Sequence, residues 1–423
     1  MKDTRKAYVE MNHDDSIVNI LHISDLHFGI ENKEGIELPL DFKQRREFIL
    51  SDLNDKLKEY SRSNKIHIVV ISGDIGFFAK EDEYSDFEQW ITDLLECIDV
   101  KPECVIICPG NHDFDRDYKV ERITKENYLR LLSIDKINER TQPFINFQSM
   151  CRRLGVPELT NSARIIHKNT IDYLYGIHYF EEWNILFTVL NSAWNEGQKN
   201  DNESRWLGVS LVRDVNLLIN KIKRKNESLI VVTVFHHPLT HMNSADSYEK
   251  YDNKETSYQH IVNFTSLIMN GHTHGGVQEP TSVNNDVRVF RSGAIHSTDT
   301  ELFEFEIISI NTIKWSYSYS VGKYVESHWT ITEYPTGIDE QEKFFSYGQK
   351  AVDILMNKLA SGVSVSDYLE KLSPVVRNIL SILNTEIEYQ NDIQKNRKTR
   401  DTHQNKELEK TINFIRSDNS KNK

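Results

Sequence analysis

Five short apolar runs in this sequence stop abruptly at Asp, Asn or His, and that repeated construction restricts the fold more than any other feature. Ile20-Leu21-His22-Ile23-Ser24 runs into Asp25-Leu26-His27, and Ile66-His67-Ile68-Val69-Val70-Ile71 runs into Ser72-Gly73-Asp74. Val105 to Ile107 meets the break Cys108-Pro109-Gly110 and delivers Asn111-His112-Asp113. Leu229 to Phe235 leads to His236-His237-Pro238, and Leu267 to Asn270 leads to Gly271-His272-Thr273-His274. A buried strand that ends in a sharp polar turn is how open α/β sheets present chemistry at the carboxyl edge of their strands. The pattern therefore predicts an α/β protein whose five strand ends share one edge.

Asp, Asn and His gathered at one edge outline a metal site. Two divalent ions about 3.5–4 Å apart need a bridging carboxylate, oxygen and imidazole ligands, and an open face for a water or hydroxide. Abundant imidazoles without thiolates suit manganese first, with iron or zinc next, better than magnesium or calcium. In Asp-x-His and His-x-His, alternate residues of an extended chain point to one side, so each strand end is expected to give one centre two ligands. Taken singly, each residue has a quieter reading as a satisfied core histidine or a turn acid. Five such blocks in one chain weigh against coincidence.

The blocks Asp-x-His, Gly-Asp, Gly-Asn-His-Asp, His and Gly-His-x-His stand in the order used by the calcineurin-like metallophosphoesterases, and across about the first 300 residues the sequence resembles that family. The resemblance implies a four-layer αββα sandwich with Asp25, His27, Asp74 and His274 on one metal ion and Asn111, His236 and His272 on the other. Asp74 would bridge the two, and His112 would contact the substrate phosphate and assist the leaving oxygen. Asp113 is read as a residue that fixes its neighbours. His237 stays outside the ligand set, because the family pattern makes the first His of a His-His-Pro run the ligand. His296 and Arg116 are expected at packing or surface positions.

The implied activity is phosphoester hydrolysis. Phosphodiesters are favoured, because Asp-Leu-His, Gly-Asn-His-Asp and Gly-His-Thr-His look like the cyclic-nucleotide phosphodiesterase and DNA-repair nuclease branches. The longer Gly-Asp-x-x-Asp-Arg-Gly block of the protein phosphatases is absent, since Ile75-Gly76-Phe77 follows Asp74. Nucleic acid is the first substrate class, ahead of a nucleotide. The alternatives are a cyclic-nucleotide phosphodiesterase or a phosphomonoesterase and, in another class altogether, a non-catalytic interaction module on a retained fold.

Composition narrows the partners only slightly. The net charge of −13 disfavours indiscriminate polyanion binding, yet two site cations would place positive charge where a phosphate sits. Four cysteines without Cys-x-x-Cys spacing suggest reduced thiols. Met1 to Asn19 lacks the apolar core of a signal peptide, and no run approaches the roughly 18 apolar residues that span a bilayer. A cytoplasmic protein without membrane contact is the expectation.

The 423 residues suffice for more than one domain. Residues 1–335 are expected to form the site domain, with residues 115–168 inserted as a candidate cap. Helices are expected after Asp41 and over Glu81 to Ile98, with Arg45 and Arg46 on a solvated face, and a polar loop is expected over Asn243 to Gln259. Strands over Val287–Arg291, Leu302–Ile308 and Thr312–Tyr319 are expected to close the second sheet. Residues 336–390 read as a helical module and 391–423 as a polar tail that is flexible or ordered by a partner. Residues 337–423 are the expected surface for a second copy or a protein partner.

Overall fold

Alternation along the first strand, β1 (Ile17–Ile23), dictates a layered molecule: Leu21 and Ile23 enter one apolar cluster while Val18 and Ile20 enter another. A strand with dry side chains on both faces must be covered on both. The computed structural model describes residues 16–32, 42–120, 140–157, 174–196, 205–223, 229–247, 256–277, 280–283, 287–298, 302–313, 315–334 and 342–343. All of them lie in the unit made of Met1–Arg224 and Leu229–Phe345.

Two mixed sheets result. The first contains β1, β2 (Ile68–Ile71), β3 (Val105–Ile107), β10 (Glu304–Asn311), β11 (Ser316–Val325) and β12 (His328–Tyr334), ordered β12-β11-β10-β1-β2-β3. β1, β2 and β3 are parallel; β10 to β12 are antiparallel to their neighbours. The second is ordered β4-β5-β6-β7-β9-β8, from β4 (Tyr175–Phe180), β5 (Ile185–Leu190), β6 (Ile230–Val234), β7 (Leu267–Asn270), β8 (Thr281–Val283) and β9 (Val287–Arg291). Here β5, β6, β7 and β9 are parallel and the edge strands antiparallel.

Between the sheets lies a cluster joining Val18, Ile20, Ile68, Val70 and Ile106 to Phe187, Val189, Val232, Val234, Met269 and Phe290. The helices supply the rest of the core. α1 (Phe42–Ser61) and α2 (Glu81–Ile98) bury Ile49, Leu53, Leu57, Phe87, Ile91 and Leu94 beside Leu21, Ile23, Val69 and Ile71. α4 (Val209–Lys223) and α5 (Ser257–Phe264) bury Val212, Val215, Ile219, Ile261 and Phe264. A cavity left by Leu53→Ala in such packing costs about 2–5 kcal/mol.

Several expectations change. β10 and β11 join the first sheet rather than closing the second, because β10 pairs with β1 along Ile17↔Asn311 to His22↔Glu306. Arg46 is buried, not solvated: its guanidinium lies over the Phe28 ring at 4.8 Å and donates to Glu31 at 2.5 and 2.9 Å. Arg45 is exposed. The stretch read as a loop over Asn243 to Gln259 contains the helical turn Ser244–Ser247 and the start of α5, which Thr256 caps through a bond from Gln259 N.

Of the insertion, residues 115–120 and 140–157 are described, and their helix α3 (Ile145–Leu154) packs on α2, with Phe147 against Tyr84 and Arg153 bonded to Glu88. Asp41, the remainder of the insertion, the helical module apart from the two-residue strand Glu342–Lys343 beside β11, and the polar tail lie outside the described residues. All four cysteines are free thiols. No helix among the described residues is long and apolar enough to cross a membrane.

Candidate metal centre

Parallel strands β1, β2 and β3 of one sheet and β6 and β7 of the other present their carboxyl ends at a common edge. Backbone bonds stitch those ends together: Asp25 N donates to Gly73 O at 3.0 Å, Ile295 N to Ser24 O at 3.2 Å and Gly271 N to His236 O at 3.1 Å. Two glycines make the approach feasible. Gly73 has φ 103°, and a Cβ there would stand 2.5 Å from His236 Nδ1. A Cβ on Gly110 would collide with the Asp74 carboxylate.

Left-handed backbone aims the side chains. Asp25, His27, Asp74, His272 and His274 have φ of 55, 49, 54, 74 and 45°, a conformation that costs a non-glycine residue about 1–2 kcal/mol. The expected alternation along an extended strand is therefore wrong for Asp25 and His27 and for His272 and His274. Each pair lies beyond its strand's end in left-handed turns; Asp25 and His27 join one ligand group, whereas His272 and His274 go to different groups, so the His-x-His block does not give one centre two ligands. Such strain concentrates at functional sites.

Two groups of potential ligands result. Ligand atoms of Asp25, His27, Asp74 and His274 lie within 4.8 Å of one another, and so do those of His236, His237 and His272. In the first, His274 Nε2 is 3.0 Å from Asp25 Oδ1 and 3.1 Å from His27 Nε2. In the second, His272 Nδ1 is 3.2 Å from His236 Nε2. Asp74 links the groups, its Oδ2 standing 3.1 Å from His236 Nε2. Its other oxygen accepts from His112 N at 2.8 Å. Asp25 Oδ2 accepts from His272 N at 3.0 Å.

The donor set fits divalent ions. His236 Nδ1 donates to the Ser72 carbonyl at 2.8 Å, so in the neutral ring Nε2 is a lone pair aimed at the Asp74 carboxylate and at His272 Nδ1. Acceptors facing acceptors at these distances require a proton or a cation between them. Imidazoles mixed with carboxylates are a donor set that divalent metal ions accept.

Electrostatics agree. Burial opposes ionisation of Asp25, but the His274 hydrogen bond and the His236 charge hold its carboxyl well below the usual range. Burial likewise opposes Asp74, and His236 and His112 overcome it. Burial would lower His236, but Asp74 and Asp25 lift it to about 9. Burial pushes His27 and His272 down to about 3, helped by the neighbouring charges of His112 and His236 respectively. His27 and His272, which resist protons, remain available to metals, whereas His236 must give up a proton to bind one.

His237, which the sequence reading left out, is fully buried within the second group. Ser192 Oγ accepts from His237 N at 3.2 Å and donates to Nδ1 at 2.9 Å, because the other ring nitrogen, Nε2, faces the acceptor oxygen of Asn111. Nε2 then carries the ring proton and donates to Asn111 Oδ1 at 3.1 Å. Doubling of His in the His-His-Pro block was its only signal in the sequence.

His112 lies beside both groups, its ring 4.9 Å from that of His27 and stacked on Phe77 at 4.4 Å. Its Nδ1 donates to the Phe77 carbonyl at 2.9 Å, which leaves Nε2 as the available ring atom. Asp113 is buried and accepts from Gly110 N, Gly76 N, Ile75 N and Tyr84 OH at 2.9–3.3 Å. It splints the block, and burial followed by the Asp74 charge pushes its carboxyl up to about 7. His296 packs between Phe42 and Phe303, and Arg116 is exposed.

Comparison with known proteins adds family context. The profile described as calcineurin-like phosphoesterase matches residues 18–276. The "Uncharacterized metallophosphoesterase-like protein YydB" of Bacillus subtilis (strain 168) is 22% identical over 311 residues, covering 70% of this chain and 57% of that protein. The chain thus matches little more than half the length of that relative. Purple acid phosphatase PPD1 from yellow lupin (Lupinus luteus) is 12% identical over 75% of this chain and 53% of its own, with a TM-score of 0.41. Phosphopantetheinyl hydrolase (PptH) from Mycobacterium tuberculosis is 14% identical over 66% of this chain and 91% of its own, with a TM-score of 0.32.

Proposed function

This chain belongs to the calcineurin-like phosphoesterase family, and from that membership we propose that it hydrolyses phosphodiester bonds, in nucleic acid first and in nucleotides second, with two divalent metal ions. The observation that carries this reading is the pair of adjacent ligand groups joined at Asp74. A scaffold that only bound partners would have no use for buried, left-handed Asp and His residues converging there.

In the proposed assignment Asp25, His27, Asp74 and His274 hold one ion and Asn111, His236 and His272 the other, with Asp74 shared. Bound ions would supply Lewis acidity and a water activated near neutral pH. The chain's own residues do the positioning. Asp74 is steered by the His112 N–H, and His236 is held by the Ser72 carbonyl. His237 acts through its hydrogen bond to orient Asn111 rather than as a ligand. His112, anchored at Nδ1, turns Nε2 towards the reacting phosphoryl group and its leaving oxygen. Pre-set donors of this kind lower the barrier because they need no rearrangement when charge develops.

The test is turnover of a bis-aryl phosphodiester with Mn²⁺, followed by product assays on single-stranded DNA, duplex DNA, RNA, cyclic nucleotides and an aryl phosphomonoester side by side. The reading expects diester cleavage that falls by about 10²–10⁴-fold in His112→Ala while metal content is retained. Cleavage of the monoester alone would overturn the diester assignment. Absence of turnover with every divalent metal would favour the interaction module.

A further inference from the structure

We infer that Glu83 is the positioning residue for His112, acting through the loop that follows Asp74. The inference rests on the proposed role of His112 in phosphodiester hydrolysis.

Glu83 is buried in the first turn of α2 and accepts four backbone hydrogen bonds. Its Oε2 receives Phe77 N at 3.2 Å, Phe78 N at 3.0 Å and Lys80 N at 3.1 Å, and its Oε1 receives Phe78 N at 3.1 Å. Only the bond from Lys80 N belongs to a capping box, in which the third helical residue reaches back to the N-cap. The other three go to Phe77 and Phe78 and are more than the helix end requires. A buried carboxylate spent on backbone N–H groups fixes a loop in one conformation, since losing it would strand those donors at about 1–3 kcal/mol each.

That loop is what holds His112. Phe77 presents its carbonyl to His112 Nδ1 at 2.9 Å and its ring to the face of the imidazole at 4.4 Å and 27°. The start of the loop is tied to Asp113 through Ile75 N and Gly76 N, and its end is tied to Glu83. Space around Glu83 is also closed: a Cβ on Gly29 would overlap its carboxylate, and one on Gly76 would stand 2.8 Å from Oε2. The carbonyl of Phe77 can only accept, so its placement selects the tautomer of His112 and the direction in which Nε2 faces.

The decisive experiment is a double-mutant cycle on the manganese-loaded full chain, with Glu83→Gln, His112→Ala and the pair. Gln preserves a capping-box residue at its position but lacks the second acceptor oxygen. Expected is a fall in kcat of about 10- to 100-fold in E83Q, as for a misplaced catalytic group, with KM and metal content unchanged. In the His112→Ala background E83Q should cause no further loss. An equal loss in both backgrounds, or none in either, overturns the inference. Should E83Q fail to fold, Glu83→Asp, whose shorter side chain draws both acceptor oxygens back from Phe77 N and Phe78 N, carries the same expectation. A second readout needs no turnover: nitrogen-15 shifts of the His112 ring in the metal-free chain should report Nδ1 protonation in the wild type and a tautomer mixture in the variant. Unchanged shifts would overturn the positioning role. Failure of the wild type to cleave any phosphoester would instead remove the functional reading and leave the nitrogen shifts to decide on Glu83.

Discussion

The two ligand groups stand side by side and are made of different material. Asp25, His27, Asp74 and His274 include two buried carboxylates, whereas His236, His237 and His272 are imidazoles alone. Carboxylates bring negative charge that offsets a divalent cation, while imidazoles ligate only when neutral and bring none. The second group depends on Asp74 reaching across at 3.1 Å to His236, and on Asn111. On the proposed assignment the two positions should differ in affinity, and Asp74 should be the residue that both need.

The largest effect should therefore come from Asp74→Ala: both ions are lost and turnover falls by about 10³-fold or more, measured by metal analysis and initial rates together. Retention of one tightly held ion would show that the groups are independent and break the comparison.

A second contrast concerns what an imidazole partner does for a buried carboxyl. Asp25 and Asp74 are held low by neighbouring histidines, whereas burial lifts Glu83, which faces backbone N–H groups, from 4.5 to about 7. The folded value of Glu83 lies above its unfolded one, so the folded chain binds the extra proton between them. Stability from this group is complete below pH 4.5 and is lost as pH rises to about 7, a change of about 3 kcal/mol. Denaturant melts of the metal-free protein across that window should show the decline in the wild type and a flatter profile in E83Q. Parallel profiles would remove the contrast.

His237→Ala should have a smaller consequence. Loss of the bond to Asn111 should weaken metal binding by about 10–100-fold at the second group alone, seen by titration calorimetry as one altered site beside one unaltered. Equal weakening at both sites would say that His237 serves the whole centre. The mildest test is chelation of the wild type, where the imidazole-rich position should release its ion first.

Much of this arrangement was legible in the chain because it is local. The apolar runs, the polar breaks and the helical stripes of α1 and α2 each lie within a short window, and the residues at the five strand ends lie close together at one edge. What escaped depends on distant partners. β10 finds β1 across the pairing Ile17↔Asn311, a register that no short window contains. Arg46 looks like a surface residue until Glu31 and Phe28 close over it. The left-handed turns at Asp25 and His272 use residue types that enter that conformation more readily than most, but no short window says which Asp or His will do so. Glu83 reads as an ordinary helix-start acid, and only the folded loop from Phe77 to Lys80 gives it further work.

Anomalous diffraction from crystals soaked in manganese tests the central claim most directly. Two adjacent peaks are expected, one among Asp25, His27, Asp74 and His274 and the other among Asp74, Asn111, His236 and His272. A single peak, or peaks elsewhere in the molecule, would contradict it.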